Sequence, residues 1–179
     1  MAILTVGAGR QYTTIGAAID ASQDGDTIQV QAGTYQGLDN MGEIKHSIKL
    51  EAVGGRVTLE PDPAQPEVFQ SKGMLLVDNP LTTEPSTVEI DGFDFKNATS
   101  SYANNAAGIR FQGNTHLILN NDGFFNNDEG ILVGNTGGTD SVIINNSEFS
   151  SNGWGGQDHN IYIGHIHSFT LTNSFLPKC

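Results

Sequence analysis

The sequence predicts an all-β chain: a right-handed single-stranded parallel β-helix with a short N-terminal capping helix and no C-terminal cap. Three observations carry the prediction. One helical apolar stripe is confined to the first residues, strand-like segments recur at a solenoid period, and a column of Gly and Asn falls at the same place in each recurrence. Residues 1–179 read as a single β-helix domain, with 1–26 as the cap and 27–179 as coils.

The cap comes first. Ile15, Ala18 and Ile19 lie on one face at helical spacing, with Thr14 placed to serve as N-cap. Asp24-Gly25-Asp26 breaks that helix, Thr27-Ile28-Gln29-Val30 alternates as a strand, and Ala32-Gly33-Thr34-Tyr35 reads as the turn after it. Ser47 to Glu51 and Val57 to Glu60 read as less regular first coils. The proline-containing stretches 61–66 and 80–85 are placed as loops projecting from the stack.

The repeat emerges when Val88 to Gly92, Leu117 to Asn121, Val142 to Asn146 and Phe169 to Asn173 are laid over one another, at intervals of 25 to 29 residues. Val88, Leu117, Val142 and Phe169 form one inward column, and Ile90, Leu119, Ile144 and Leu171 the next, because alternation puts both on one face of the strand. Phe95, Phe124, Phe149 and Leu176 follow five residues on. The last column is Gly92, Asn121, Asn146 and Asn173, the residue types that enter the left-handed region at least cost, so a bend is expected there in every coil. Asparagines stacked at one bend can also pass hydrogen bonds from coil to coil. A second strand family, Gly108 to Phe111, Gly130 to Val133 and Asn160 to Ile163, repeats out of phase with the first. A β-sandwich with accidental spacing is the competing reading, and it leaves the aligned asparagines unexplained.

Composition narrows the partners. Eight Lys and Arg against twenty Asp and Glu give a formal charge of −12, which repels phosphate backbones and anionic lipid, so neither nucleic acid nor a membrane is expected. A polyuronate meets the same barrier unless a basic strip or bound cation reverses it locally, whereas a neutral glycan does not. The one cysteine, Cys179, supplies no internal disulfide and leaves intermolecular pairing open. The first six residues lack the pattern of a signal peptide, and no stretch approaches the roughly 20 apolar residues that span a bilayer.

On these residues the chain resembles the pectin-lyase-like superfamily. The resemblance rests on Val6 to Ile15 and Gly25 to Tyr35, which look like that superfamily's N-terminal cap and first coil, and on the coil pattern beyond them. It implies the β-helix, an extracellular or periplasmic setting, and a polysaccharide or oligosaccharide partner, with calcium as a compatible cofactor. The superfamily includes lyases, hydrolases, esterases and epimerases as well as non-catalytic surface proteins. This sequence departs from the enzymes' motifs, with no calcium-binding aspartate run and catalytic arginine, no paired-aspartate signature and no esterase motif. It stops at Cys179 directly after a core strand, as a truncated or shortened β-helix would.

The most chemically loaded stretch is Asn152 to His167, which holds the single tryptophan and three of the five histidines. With Ile161 and Ile163 inward, Asp158, Asn160 and Tyr162 are expected outward, beside Arg110 and Asp128 from earlier coils. Asp128 and Asp158 as neighbours would hold a cation or divide acid and base roles in glycoside cleavage, with His159 carrying a proton. Trp154, Tyr162 and Asn160 would bind the sugar. The bland alternative is that the His and Asp residues satisfy turn backbone, that Trp154 anchors its loop, that Asp128 and Glu129 form a solvated turn, and that Arg110 pairs with Asp128. His165 and His167 alternate without a third ligand, so no metal site is assigned. Two functions follow: a non-catalytic, glycan-binding β-helix that self-associates as a homodimer through its open last coil, or a polysaccharide lyase, hydrolase or epimerase acting on the outer face.

Overall fold

A computed structural model of the chain describes residues 1–70, 72–79, 85–99, 105–136, 138–153 and 159–177. The described residues form a mostly β structure in which every ladder between named strands is parallel. In chain order the elements are β1 (Ile3–Val6), α1 (Ile15–Ala21), β2 (Asp26–Gln36), β3 (Gly42–Ile44), β4 (Ile48–Glu60), β5 (Gly73–Asp78), β6 (Ser86–Asp91) and β7 (Phe93–Lys96). They continue as β8 (Ala107–Gly113), β9 (Thr115–Asn120), β10 (Gly123–Phe125), β11 (Glu129–Asn135), β12 (Ser141–Asn145), β13 (Glu148–Ser150), β14 (Ile161–His165) and β15 (Ser168–Thr172).

Two sheets hold these strands. In the ten-stranded sheet β1, β2 and β4 run side by side, and beyond β4 the sheet forks, its first half continuing as β6, β9, β12, β15 and its second half as β7, β10, β13. The five-stranded sheet has the order β3, β5, β8, β11, β14. From β6 onward the chain visits the three ladders in rotation, so each strand pairs with its counterpart one repeat later. No helix among the described residues is long and apolar enough to cross a membrane.

Like side chains align because the register keeps them partners from strand to strand, the shifts falling between Gln31 and Gly33 and between Val77 and Asp78. Leu4, Ile28, Leu50, Ile90, Leu119, Ile144 and Leu171 are successive partners in one column, and Ile48, Val88, Leu117, Val142 and Phe169 in the next. Leu59, Phe95, Phe124 and Phe149 form a third, with ring centroids 5.0 Å apart between Phe95 and Phe124 and 4.7 Å between Phe124 and Phe149. Each such ring, fully buried, contributes about 1.5–3 kcal/mol through removal of apolar surface from water. Leu176 follows a single bridge between Glu148 and Phe175, outside any strand, and is 37% exposed, so the place after Phe149 in that column is not sealed.

The Gly and Asn column bends as expected: Gly92, Asn121, Asn146 and Asn173 have φ of 84°, 55°, 51° and 50°. A second left-handed column that the sequence reading passed over, Asn97, Asn126 and Ser151, turns the chain after β7, β10 and β13 with φ of 65°, 57° and 58°. The interstrand side-chain ladder runs one residue before the first bend rather than through it. Asn145 Nδ2 donates to Asn120 Oδ1 at 3.0 Å and Thr172 Oγ1 to Asn145 Oδ1 at 2.5 Å, while Asn121 turns back to Asp91. The physical reason is exposure, since Asn121, Asn146 and Asn173 stand in solvent.

Three local expectations are corrected. Thr14 occupies the N-cap of α1 but its side chain makes no cap bond; Asn40, from the turn Leu38–Asn40, accepts the Ile15 N–H at 3.1 Å instead. Ala32 to Tyr35 is not a turn, because β2 runs through it and β4 absorbs the mismatch along the longer path through Gly54 and Gly55, at φ of 82° and 140°. Ser47 to Glu51 and Val57 to Glu60 therefore fall, apart from Ser47, in the single strand β4. Of the projecting loops, 61–66 closes on a short antiparallel bridge between Asp62 and Gln65, and 80–84 lies outside the described residues.

Candidate functional site

On the five-stranded sheet, Glu43, Leu76, Arg110, Leu132 and Tyr162 form one row across the strands. Leu132, 7% exposed, thus separates Arg110 from Tyr162. Arg110 Nε is buried without a hydrogen-bond partner among the described residues, and burial pulls its guanidinium below the ordinary value while Glu129 pulls back. The expected partner Asp128 instead accepts the Ala106 N–H at 3.2 Å. Asp128 and Glu129 are not a solvated turn: they are 8% and 3% exposed. His159 donates its backbone N–H to Glu129 Oε2 at 3.0 Å, holds Nδ1 3.7 Å from Oε1, and tilts its ring against Tyr162 at 5.6 Å between centroids.

Asn160 was expected on the outer face and is buried. It accepts from Asn152 Nδ2 at 3.0 Å and donates to Pro177 O at 3.0 Å. Asn152 in turn accepts from Asn127 Nδ2 at 2.9 Å, and Asn127 accepts the Ala98 N–H at 2.9 Å. Asparagines suit this position because one amide both donates and accepts, satisfying turn backbone on two repeats at once. Asp158 and Trp154 lie outside the described residues. The structure therefore brings His159, Tyr162 and Glu129 together, separates Arg110 from Tyr162 by one strand, ties Asp128 to the Ala106 N–H, and holds Asn160 between the Asn152 amide and the Pro177 carbonyl. Among the described residues, no group of three or more His, Cys, Asp or Glu is placed to hold a metal ion.

A second cluster lies on the outer face of the ten-stranded sheet, where the branches β6/β9/β12 and β7/β10/β13 diverge. The row Asp94, Gly123, Glu148 crosses β7, β10 and β13, so a glycine separates two carboxylate-bearing strands. Arg56, following the Gly54-Gly55 bend, spans the cluster. Its Nε donates to Asp94 Oδ1 at 2.8 Å, NH1 to Asn121 O at 2.7 Å and NH2 to Phe93 O at 2.9 Å, and NH2 also ion-pairs with Asp94. Lys96 Nζ sits 3.4 Å from Asp94 Oδ2 and 5.3 Å from the centre of the Phe125 ring. Together Arg56, Asp94, Asn121, Asp122, Gly123, Phe125, Asn146 and Glu148 line a cleft of about 470 Å³. A Cβ at 123 would stand 2.3 Å from the Phe125 ring and 2.5 Å from Asp94 Oδ1, so any side chain there requires Phe125 and Asp94 to move.

Asp122 forms the inner wall. It is 2% exposed; Oδ1 accepts the Phe93 N–H at 2.8 Å, whereas buried Oδ2 has no partner among the described residues. Burial pushes its carboxyl well above the usual range, with Asp91 adding to the effect and the Phe93 N–H, Arg56 and the Asn120 N–H opposing it. The signal was present in the sequence. In the overlaid repeats the position after the bend reads Phe93, Asp122, Ser147, Ser174, and one carboxylate among hydroxyls at an inward place calls for a reason. Arg56 is harder to find, because its partner Asn121 lies 65 residues away.

Comparison of the chain with protein-family models, with curated proteins and with solved structures finds no match in any of the three.

Proposed function

We propose that the chain is a non-catalytic, glycan-binding right-handed β-helix of the pectin-lyase-like kind, and that the cleft around Gly123 takes a neutral saccharide. The rotation of the chain through three parallel ladders supports the β-helix reading. The carrying observation for binding is the cleft itself: an open hollow of about 470 Å³ between Asp94 and Glu148, floored by a glycine and bordered by the half-buried Phe125 ring. Its size falls within the range of roughly 300–1,000 Å³ that ligand sites occupy. Carboxylate oxygens and the Asn146 amide suit vicinal hydroxyls, and an aromatic ring suits the C–H face of a pyranose. An anionic sugar would meet the field of a chain with net charge −12.

The test is titration calorimetry with cello-, xylo- and mannohexaose at neutral pH, comparing the parent with Phe125→Ala and Glu148→Ala. A hexaose should bind, and each variant should weaken it about tenfold, roughly 1.4 kcal/mol. No binding by any of them would overturn the reading, and loss only on replacing Tyr162 or His159 would move the site to the five-stranded sheet.

A second reading, self-association through the last repeat, rests on its own observation. Phe169 and Leu171 stand in columns whose interior members are sealed, yet are 37% and 38% exposed, and Phe175 is 61% exposed. Residues 159–177 contain no Asp, Glu, Lys or Arg, so like charge does not oppose the approach of a second copy there. The Ser168 N–H and Thr172 C=O bond toward the preceding strand, which directs the amides of 169 and 171 outward. Two such edges fit about a two-fold axis. Light scattering under reducing conditions should find a dimer that Leu171→Pro disperses without loss of β circular dichroism, because an edge N–H is dispensable to the monomer.

A further inference from the structure

Resting on the reading of the cleft as a saccharide site, we propose that its occupancy is coupled to proton uptake by Asp122, so that an uncharged ligand binds more tightly as pH falls. The geometry isolates this carboxyl. Oδ1 receives the Phe93 N–H, the Asn120 N–H adds a weaker pull, and Oδ2 is shut from solvent with no hydrogen bond of ordinary geometry among the described residues. An ionised carboxylate only accepts hydrogen bonds and needs several donors when buried, whereas the protonated form has a single proton to place.

The surrounding charges offset its burial only in part, Arg56 attracting the ionised form and Asp91 repelling it. Arg56 on β4 is the cation at this wall, and its donors go to Asp94, Asn121 O and Phe93 O. Lys96 on β7 engages the other oxygen of Asp94. The remaining charged groups at the cleft and its rim are Asp91 on β6, Asp94 on β7 and Glu148 on β13, all carboxylates, and Ser147 Oγ accepts the Asp122 backbone N–H at 3.2 Å while donating to Asn145 O at 2.9 Å. A neutral ligand covering the cleft removes the water left at this wall, which adds to the desolvation that already disfavours the charged form of Asp122. Ligand and proton therefore favour each other, and the reciprocity is thermodynamic.

The experiment repeats the hexaose titrations from pH 4 to pH 8, in two buffers of different ionisation enthalpy, alongside the carboxyl carbon resonance of Asp122. The parent should lose affinity by up to about tenfold per pH unit above the Asp122 titration, the limit for one linked proton. It should take up a fraction of a proton on binding. Asp122→Asn should bind without that pH dependence, whereas Glu148→Gln should keep it. Binding that is flat with pH in the parent, or an Asp122 carboxyl that titrates with the solvent-exposed aspartates, overturns the coupling while leaving the glycan reading intact. Absence of binding at every pH overturns both.

Discussion

Leu119 and Leu171 occupy the same column and make the same kind of ladder, yet the first is fully buried and the second 38% exposed. The same holds for Leu117 and Phe169, at 0% and 37%. Leu119 has a partner on each side, Ile90 and Ile144, whereas Leu171 pairs among the described residues with Ile144 alone. The N-terminal end is closed differently, by α1, whose Ile15, Ala18 and Ile19 are buried against β1, β2, β3 and the turn at Leu38–Asn40.

The sharpest way to break this comparison is truncation of an aromatic in each region. Phe124 is sandwiched between Phe95 and Phe149, so Phe124→Ala should cost about 3–5 kcal/mol from lost transfer energy and a cavity that flanking rings cannot fill. Phe175→Ala should stay within about 0.5 kcal/mol. Urea unfolding of both variants checks the pair, and equal losses would mean that the last repeat is already covered.

A smaller effect separates the two candidate caps of α1. Asn40→Ala should cost about 0.5–2 kcal/mol by orphaning the Ile15 N–H, whereas Thr14→Ala, lacking a cap bond to lose, should be nearly silent. Thermal unfolding distinguishes them.

What was legible in the sequence follows from the same physics. Columns and bends repeat locally, so Leu119, Ile144 and the left-handed Asn121 and Asn146 could be aligned by eye. The polar residues could not be placed by alternation. Asn160 lies at a strand entrance, where the backbone no longer alternates, and its burial is decided by Asn152 and Pro177. The cleft was hidden for a related reason: Arg56 comes from an irregular early strand and acts two repeats away. Periodicity records what each repeat shares, and a site is built from what one repeat does differently.

The subtlest effect concerns a slope rather than a midpoint, and it sets the N-terminal edge against the interior. Asp26 accepts the N–H groups of Ala2 and Gln23, which hold its carboxyl below its ordinary value of 3.8. Its contribution is therefore present above pH 3.8 and lost as pH falls through the lower folded value. Asp122 is shifted the other way: between 3.8 and its raised folded value the native state binds more protons than the unfolded chain, so stability declines as pH rises across that window and is level beyond it. Asp26→Asn should abolish the acid-side loss, and Asp122→Asn the decline on the alkaline side of pH 3.8. Urea midpoints measured from pH 3 to pH 8 read both, and parallel profiles for the two variants would show that the edge and the interior treat an aspartate alike.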